Sequence, residues 1–149
     1  MKRVLLLLAP AILITAVLLR QPVLAPAGET ADGKAVTMNG QKFFLEVADD
    51  PLEWEKGLSN RTQLKPQGGM LFEFKQPGRP CFWMKDTLIA LDILWFDSKY
   101  TLVYVQQNAT PSSFPQNFCP DQDAQYVVEL KAGTVAEYNL KPGMVLTFK

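Results

Sequence analysis

Phe82-Trp83-Met84-Lys85-Asp86-Thr87-Leu88-Ile89-Ala90-Leu91-Asp92-Ile93-Leu94-Trp95-Phe96 is the stretch on which the reading of the fold turns. Two apolar runs flank a Lys-Asp-Thr break, and the second run holds an acid, Asp92, between Leu91 and Ile93. The pattern reads as two strands, Cys81 to Met84 and Leu91 to Phe96, joined by a short polar connection. A carboxylate inside an apolar strand must be solvated, hydrogen-bonded or paired, because an isolated buried charge is costly. Lys85 is, with Lys99, the nearest cation along the chain and lies on the same pair of strands, so a Lys85/Asp92 pair is expected near their open end. Strand geometry puts Phe82 and Met84 on one face and Trp83 and Lys85 on the other, so that Trp83 walls the same side as Lys85.

Working outward, Phe43 to Ala48 has strand composition, and Asp49-Asp50-Pro51 supplies an N-cap acid and a first-turn proline for a short helix ending near Ser59. Met70 to Phe74 and Thr101 to Gln107 read as further strands, bounded by Gly68-Gly69, Gln76-Pro77-Gly78 and Asp97-Ser98-Lys99. Residues 108–125 lack periodicity and carry three prolines, the mark of a long loop, with Phe114 to Pro120 able to act as a lid or merely to be pinned. Tyr126 to Leu130 returns to strand pattern, Thr134 to Asn139 fits one or two helical turns, and Met144 to Phe148 makes a last strand. The sum is a mainly β (α+β) chain: a compact barrel-like or rolled antiparallel sheet of about seven strands with two short helices.

The chain opens Met1-Lys2-Arg3 and continues with an apolar run from Val4 to Leu19. That reads as a basic n-region and an h-region, with Ala25-Pro26-Ala27 offering small residues for cleavage after Ala27. Residues 1–27 are therefore assigned as a cleaved signal peptide or a retained membrane anchor, and 28–35 as a linker rich in Pro, Ala and Gly. Residues 36–149 form a single domain, consistent with 149 residues and 48% hydrophobic content. Either fate of the leader places the domain outside the cytoplasm, secreted, periplasmic or tethered. Cleavage leaves 12 basic against 15 acidic residues, net −3, with no cluster of Lys and Arg, so nucleic-acid binding is not expected. Two cysteines, Cys81 and Cys119, can form one disulfide in an exported chain or remain buried thiols.

The order of short motifs resembles domain-of-unknown-function family 192. They are Glu-Lys-Gly-Leu at 55–58, Gly-Met-Leu-Phe at 69–72, Phe-Trp-Met-Lys at 82–85, Thr87-Leu88, Leu91-Asp92, Cys119-Pro120, Tyr126-Val127 and Leu130-Lys131-Ala132-Gly133. The most specific element is Phe-Trp-Met-Lys-x-Thr-Leu-x-x-Leu-Asp. This chain departs from the pattern at Asp86, where the family often has Asn, and at Met144, where it often has an acid. The resemblance implies a small β-rich, barrel-like domain, often behind an export leader or anchor, with an uncharacterised role.

Candidate chemistry is narrow. The chain has no His, which removes the usual general base, the common nucleophile arrangements and imidazole metal ligands. No zinc-type Cys spacing, redox Cys-x-x-Cys or phosphate loop occurs, so neither a metal nor a cofactor is expected. Trp83, Lys85, Thr87 and Asp92, with Arg61 as a further anion ligand, are the candidate ligand-binding residues. Each has a structural alternative: an ion pair holding strand register, core aromatics, a solvated turn, a surface arginine. The first reading is a binding module for a polar ligand or envelope component, with no catalytic residue assigned. The second is a histidine-independent hydrolase or lyase with Asp92 or Asp86 as base and Lys85 or Arg61 stabilising negative charge. The third is a structural interaction domain without a pocket.

Overall fold

A computed structural model describes residues 33–149, so the expected leader at 1–27 lies outside the described residues. No helix among the described residues is long and apolar enough to cross a membrane. The first strand, β1 (Gly33–Met38), begins three residues before the expected domain start and pairs antiparallel with β2 (Gln41–Ala48). Asn39 and Gly40 join them with φ of 47° and 75°, the left-handed pair that matches strand twist in a two-residue hairpin. Asp50 then caps α1 (Pro51–Lys56): its carboxylate accepts the Leu52 and Glu53 N–H groups at 2.8 and 3.0 Å, and Glu53 reaches back to the Asp49 N–H at 3.0 Å.

The chain returns as β3 (Gly68–Gly78), which lies parallel to β2, with Phe44 opposite Gly68 and Ala48 opposite Phe72. This one pair corrects the expectation of a wholly antiparallel sheet. The connection through α1 is long enough for the crossover a parallel pair requires. Next come β4 (Leu91–Phe96) and β5 (Leu102–Ala109), then β6 (Ala124–Lys131), α2 (Thr134–Glu137) and β7 (Thr147–Phe148). All the other neighbours are antiparallel, in the order β5-β4-β6-β3-β2-β1-β7. The sheet curls into a half-barrel. One isolated bridge, Thr101 to Val145, links the segments leading into its edge strands β5 and β7: Leu102 donates to the Met144 carbonyl at 2.7 Å and Leu146 to the Tyr100 carbonyl at 2.9 Å, which leaves only Thr147–Phe148 of the expected last strand inside the sheet.

Residues 81–84 do not form a strand, contrary to expectation. Only Phe82 makes a bridge, exchanging both backbone bonds with Phe118 at 2.8 Å, because residues 79–90 leave the sheet as a strap pinned by the Cys81–Cys119 disulfide. The bond closes a loop of 38 residues and is worth roughly 3 to 4 kcal/mol in the chain-entropy model. Trp95 reinforces the strap by donating its indole N–H to the Pro80 carbonyl at 2.9 Å.

The sheet buries apolar side chains on both faces. One cluster gathers Phe43, Leu45, Leu94, Phe96, Val128 and Leu130 inside the curl. The other gathers Met70, Phe72, Ile93, Trp95 and Val127 on the outer face, under α1 and the strap, where Leu58 and Met84 close over them. Having cover on both sides is why all six residues of β4 are buried. Gly69 permits the closest approach: a Cβ there would lie 2.2 Å from the Glu129 carbonyl oxygen, so only glycine lets β3 and β6 pair at this point.

Asp92 lies on the inner face in this frame, 1% exposed. One carboxyl oxygen accepts the Asn108 N–H at 2.9 Å and the other the Val135 N–H at 2.8 Å. The first contact fixes a bulge in β5, where Asn108 sits at φ 52° between the Leu91/Ala109 and Ile93/Gln106 pairs. The second caps α2, whose own N-cap, Gly133, has no side chain to offer. Asp92→Ala strands one buried and one part-buried N–H group and is expected to lower stability by about 2 to 3 kcal/mol, with Asp92→Asn keeping one acceptor and losing roughly half as much. Urea denaturation of the three proteins checks this, and equal midpoints would show that the clamp carries nothing.

Candidate functional site

The expected Lys85/Asp92 pair does not form, and the reason is topological. Asp92 points into the curl with both oxygens committed to backbone donors, whereas Lys85 stands exposed on the strap over the opposite face. Lys85 enters none of the ion pairs of the described residues. The same burial removes Asp92 as a ligand contact or a catalytic base. Arg61 is also separate. It pairs with Glu46 beside a groove lined by Phe44, Leu64 and Gly68, to which the strap contributes no residue.

Trp83, Lys85 and Thr87 do come together, at a cleft of about 140 Å³ between the end of α1 and the strap. The strap is tied down there: the Ser59 hydroxyl donates to the Lys85 carbonyl at 3.3 Å and the Asn60 N–H to the Asp86 carbonyl at 2.7 Å. Asp86 turns the chain at φ 55°, a left-handed conformation to which Asp is suited. Thr87 is buried and its hydroxyl bonds the Lys85 carbonyl at 3.3 Å, so it shapes the turn. Trp83 is 46% exposed, meets Phe114 edge to face at 6.3 Å and carries the Lys85 ammonium 5.9 Å from its ring centroid. An adjoining hollow lined by Leu52, Glu55 and Asp86 widens the mouth.

Phe72, Phe74 and Glu129 form the floor. Glu129 was not anticipated, although Tyr126-Val127-Val128-Glu129-Leu130 carries the same signal as Asp92, an acid inside an apolar strand. It pairs with Met70 on β3 and Ile93 on β4, and is 4% exposed. No side-chain or backbone group of the described residues hydrogen-bonds its carboxyl, and burial pushes it up from an ordinary 4.5 to about 8. Gly57 roofs this point at φ 44°: a Cβ there would lie 3.4 Å from the Phe72 ring and 3.9 Å from the Glu129 Oε2 atom. Near neutral pH the floor therefore holds a protonated carboxyl, able to donate one hydrogen bond and accept another, or to lose its proton to a stronger partner. No group of three or more metal-ligating side chains occurs among the described residues.

A model of the DUF192 family, described as an uncharacterized ACR, matches residues 34–148. The chain belongs to that family. This DUF192 domain is similar to a solved structure from Sinorhizobium meliloti 1021, a candidate transcription regulator, with 34% identity, TM-score 0.75, and coverage of 81% of this chain and 98% of that one. It is also similar to a protein of unknown function from Novosphingobium aromaticivorans DSM 12444, with 28% identity, TM-score 0.73, and coverage of 84% and 94%. A search of curated proteins finds no match.

The raised carboxyl makes a signed prediction for this DUF192 domain. Between pH 4.5 and 8 the folded protein keeps a proton on Glu129 that the unfolded chain releases, so stability falls as pH rises through that window and levels off above it. The loss is of the order of a few kcal/mol. Denaturation of the parent and of Glu129→Gln at several pH values should show the parent losing ground to the variant from pH 4.5 to 8 and tracking it above 8. A constant difference across that range would refute the assignment.

Proposed function

We propose that this domain is an extracytoplasmic binding module that takes a polar ligand or envelope component in the cleft between α1 and the strap. The observation that carries the reading is Glu129, a carboxyl without a hydrogen-bond partner at the base of a cleft walled by aromatic rings. Structural acids are normally buried with their partners, as Asp92 is; a carboxyl left open toward a cleft is suited to a partner from outside. Trp83 and Lys85 at the mouth supply a stacking face and a positive charge. The apolar leader and the Cys81–Cys119 disulfide support a location in an oxidising, exported compartment.

A role in transcription, the designation of the Sinorhizobium relative, is less well supported in this chain. Residues 33–149 hold 12 basic and 13 acidic residues without a basic stripe. A hydrolase using Asp92 is set aside by that residue's burial. Glu129 is the group best suited to donate a proton, but the other acid lining the cleft, Glu55, is exposed on α1, so the floor lacks a facing partner for acid-base work.

A thermal-shift screen of polar ligands on the full chain should give hits that raise Tm, with affinity reduced about tenfold or more by Trp83→Ala, which truncates a half-exposed side chain and leaves the cores intact. Hits indifferent to both Trp83→Ala and Glu129→Gln would relocate the site, and a broad screen with no hit would remove the binding reading. For the location, sequencing the mature N-terminus should find Gly28 first if the leader is cleaved, or an intact start in the membrane fraction if it anchors. An intact chain in the cytosolic fraction would overturn the export assignment.

A further inference from the structure

We infer that the group seated in the cleft is an organic ammonium, held against the Glu129 carboxyl among the rings of Phe72, Phe82 and Trp83; this rests on the cleft being the binding site. Glu129 is 4% exposed, lines the cleft, and takes no hydrogen bond or ion pair from the described residues; its carboxyl oxygens stay in contact with solvent, since no fully buried side-chain oxygen among the described residues lacks a partner. Exchanging the proton that Glu129 holds for an ammonium turns the carboxyl into one partner of an ion pair, the strongest contact such a group can make in a water-poor site. The walls suit the same guest. Phe72 and Phe82 meet edge to face at 4.8 Å, and aromatic faces attract cations through their negative π-systems. At the mouth the protein already satisfies this preference with its own ammonium, Lys85 over Trp83, leaving the inner rings and Glu129 for a second one.

Size restricts the guest further. A cleft of about 140 Å³, close to the roughly 150 Å³ of an engineered cavity that takes up benzene, accommodates a short alkylammonium end but not an extended ligand. The ligand therefore enters by its amine terminus, with the remainder of the molecule over Trp83 and the adjoining hollow. Proton balance follows from the floor chemistry. The carboxyl gives its O–H proton to solvent as the ammonium arrives, and the product is a carboxylate-ammonium pair. The other charged groups lining the cleft are Glu55 and Lys56 from α1 and Lys85 from the strap; none bonds the Glu129 carboxyl, and its partners across β3 and β4, Met70 and Ile93, are apolar. Lys56 and Lys85 disfavour a second bare cation at the mouth, so the tail of the guest is neutral or anionic.

n-Butylammonium chloride and n-butanol serve as charged and neutral probes on the full chain, with Glu carboxyl carbons isotopically labelled and followed by NMR from pH 5 to 9. Saturating n-butylammonium should bring the Glu129 midpoint from about 8 to below about 7, and n-butanol should leave it in place. Affinity for n-butylammonium should rise about tenfold per pH unit up to pH 8 and then level off, a dependence that Glu129→Gln removes. The parent titration decides the matter even if that variant fails to fold. A pH-independent affinity, or equal binding of n-butanol, overturns the ammonium assignment. If neutral or anionic screening hits then still depend on Trp83, the cleft reading survives without it; if nothing binds, both fall.

Discussion

The buried carboxyl of Asp92 is the constraint around which the inner half of the structure is arranged. An acid placed between Leu91 and Ile93 can be kept in an apolar interior only if its oxygens meet donors. Two backbone N–H groups meet them, from Asn108 and Val135. These contacts join three parts of the chain: the strand that carries Asp92, a bulge in its neighbour β5, and the first turn of α2. The bulge bends β5, and α2 with the turn after it brings Val135 and Leu140 into the inner core. The curl, the bulge and the helix that plugs it thus share one side chain.

Much of this was legible in order but not in pairing. The strand from Leu91 to Phe96, the cap at Asp50-Pro51, the turns and the number of elements follow from composition and period. The parallel β2/β3 pair does not, because nothing local in residues 49–67 distinguishes a crossover from a connection between antiparallel strands. The Asn39-Gly40 turn that ends β1 is not among the expected turns, because no strand is expected before Phe43. The stretch Phe82 to Lys85 alternates in burial as a strand would, with Met84 inward and Trp83 and Lys85 outward, yet it has almost no strand partner. Alternation reports which side chains meet the core, and a pinned strap satisfies it as well as a sheet does.

The candidate site was half legible for a related reason. Trp83, Lys85 and Thr87 are near one another in sequence and remain so in the cleft, while Asp92 and Arg61 were linked to them by charge alone and the fold separates all three locations. Asp92 and Glu129 illustrate the limit well. Both are acids in apolar strands, and the sequence has no means of telling that one finds two donors and the other none. That difference arises from parity in β4 and β6. Asp92 faces the curl beside Leu94, whereas Glu129 faces outward beside Val127, where the covering elements contribute rings and no group that bonds it.

The position of β6 between β3 and β4 has a kinetic consequence. Neither β3 nor β4 pairs with the other; each waits for a strand that follows both in the chain. Until β6 arrives, the β1-β2-β3 unit and the β4-β5 hairpin each present an open apolar edge, and such edges are the templates on which chains aggregate. Central insertion of a late strand also raises contact order, which slows folding and prolongs that exposure. During this interval Asp92 acts as a gatekeeper, a charge that interrupts Leu91-Asp92-Ile93-Leu94-Trp95-Phe96 and discourages its self-association. The acid that organises the finished sheet thus also protects the strand before the sheet exists.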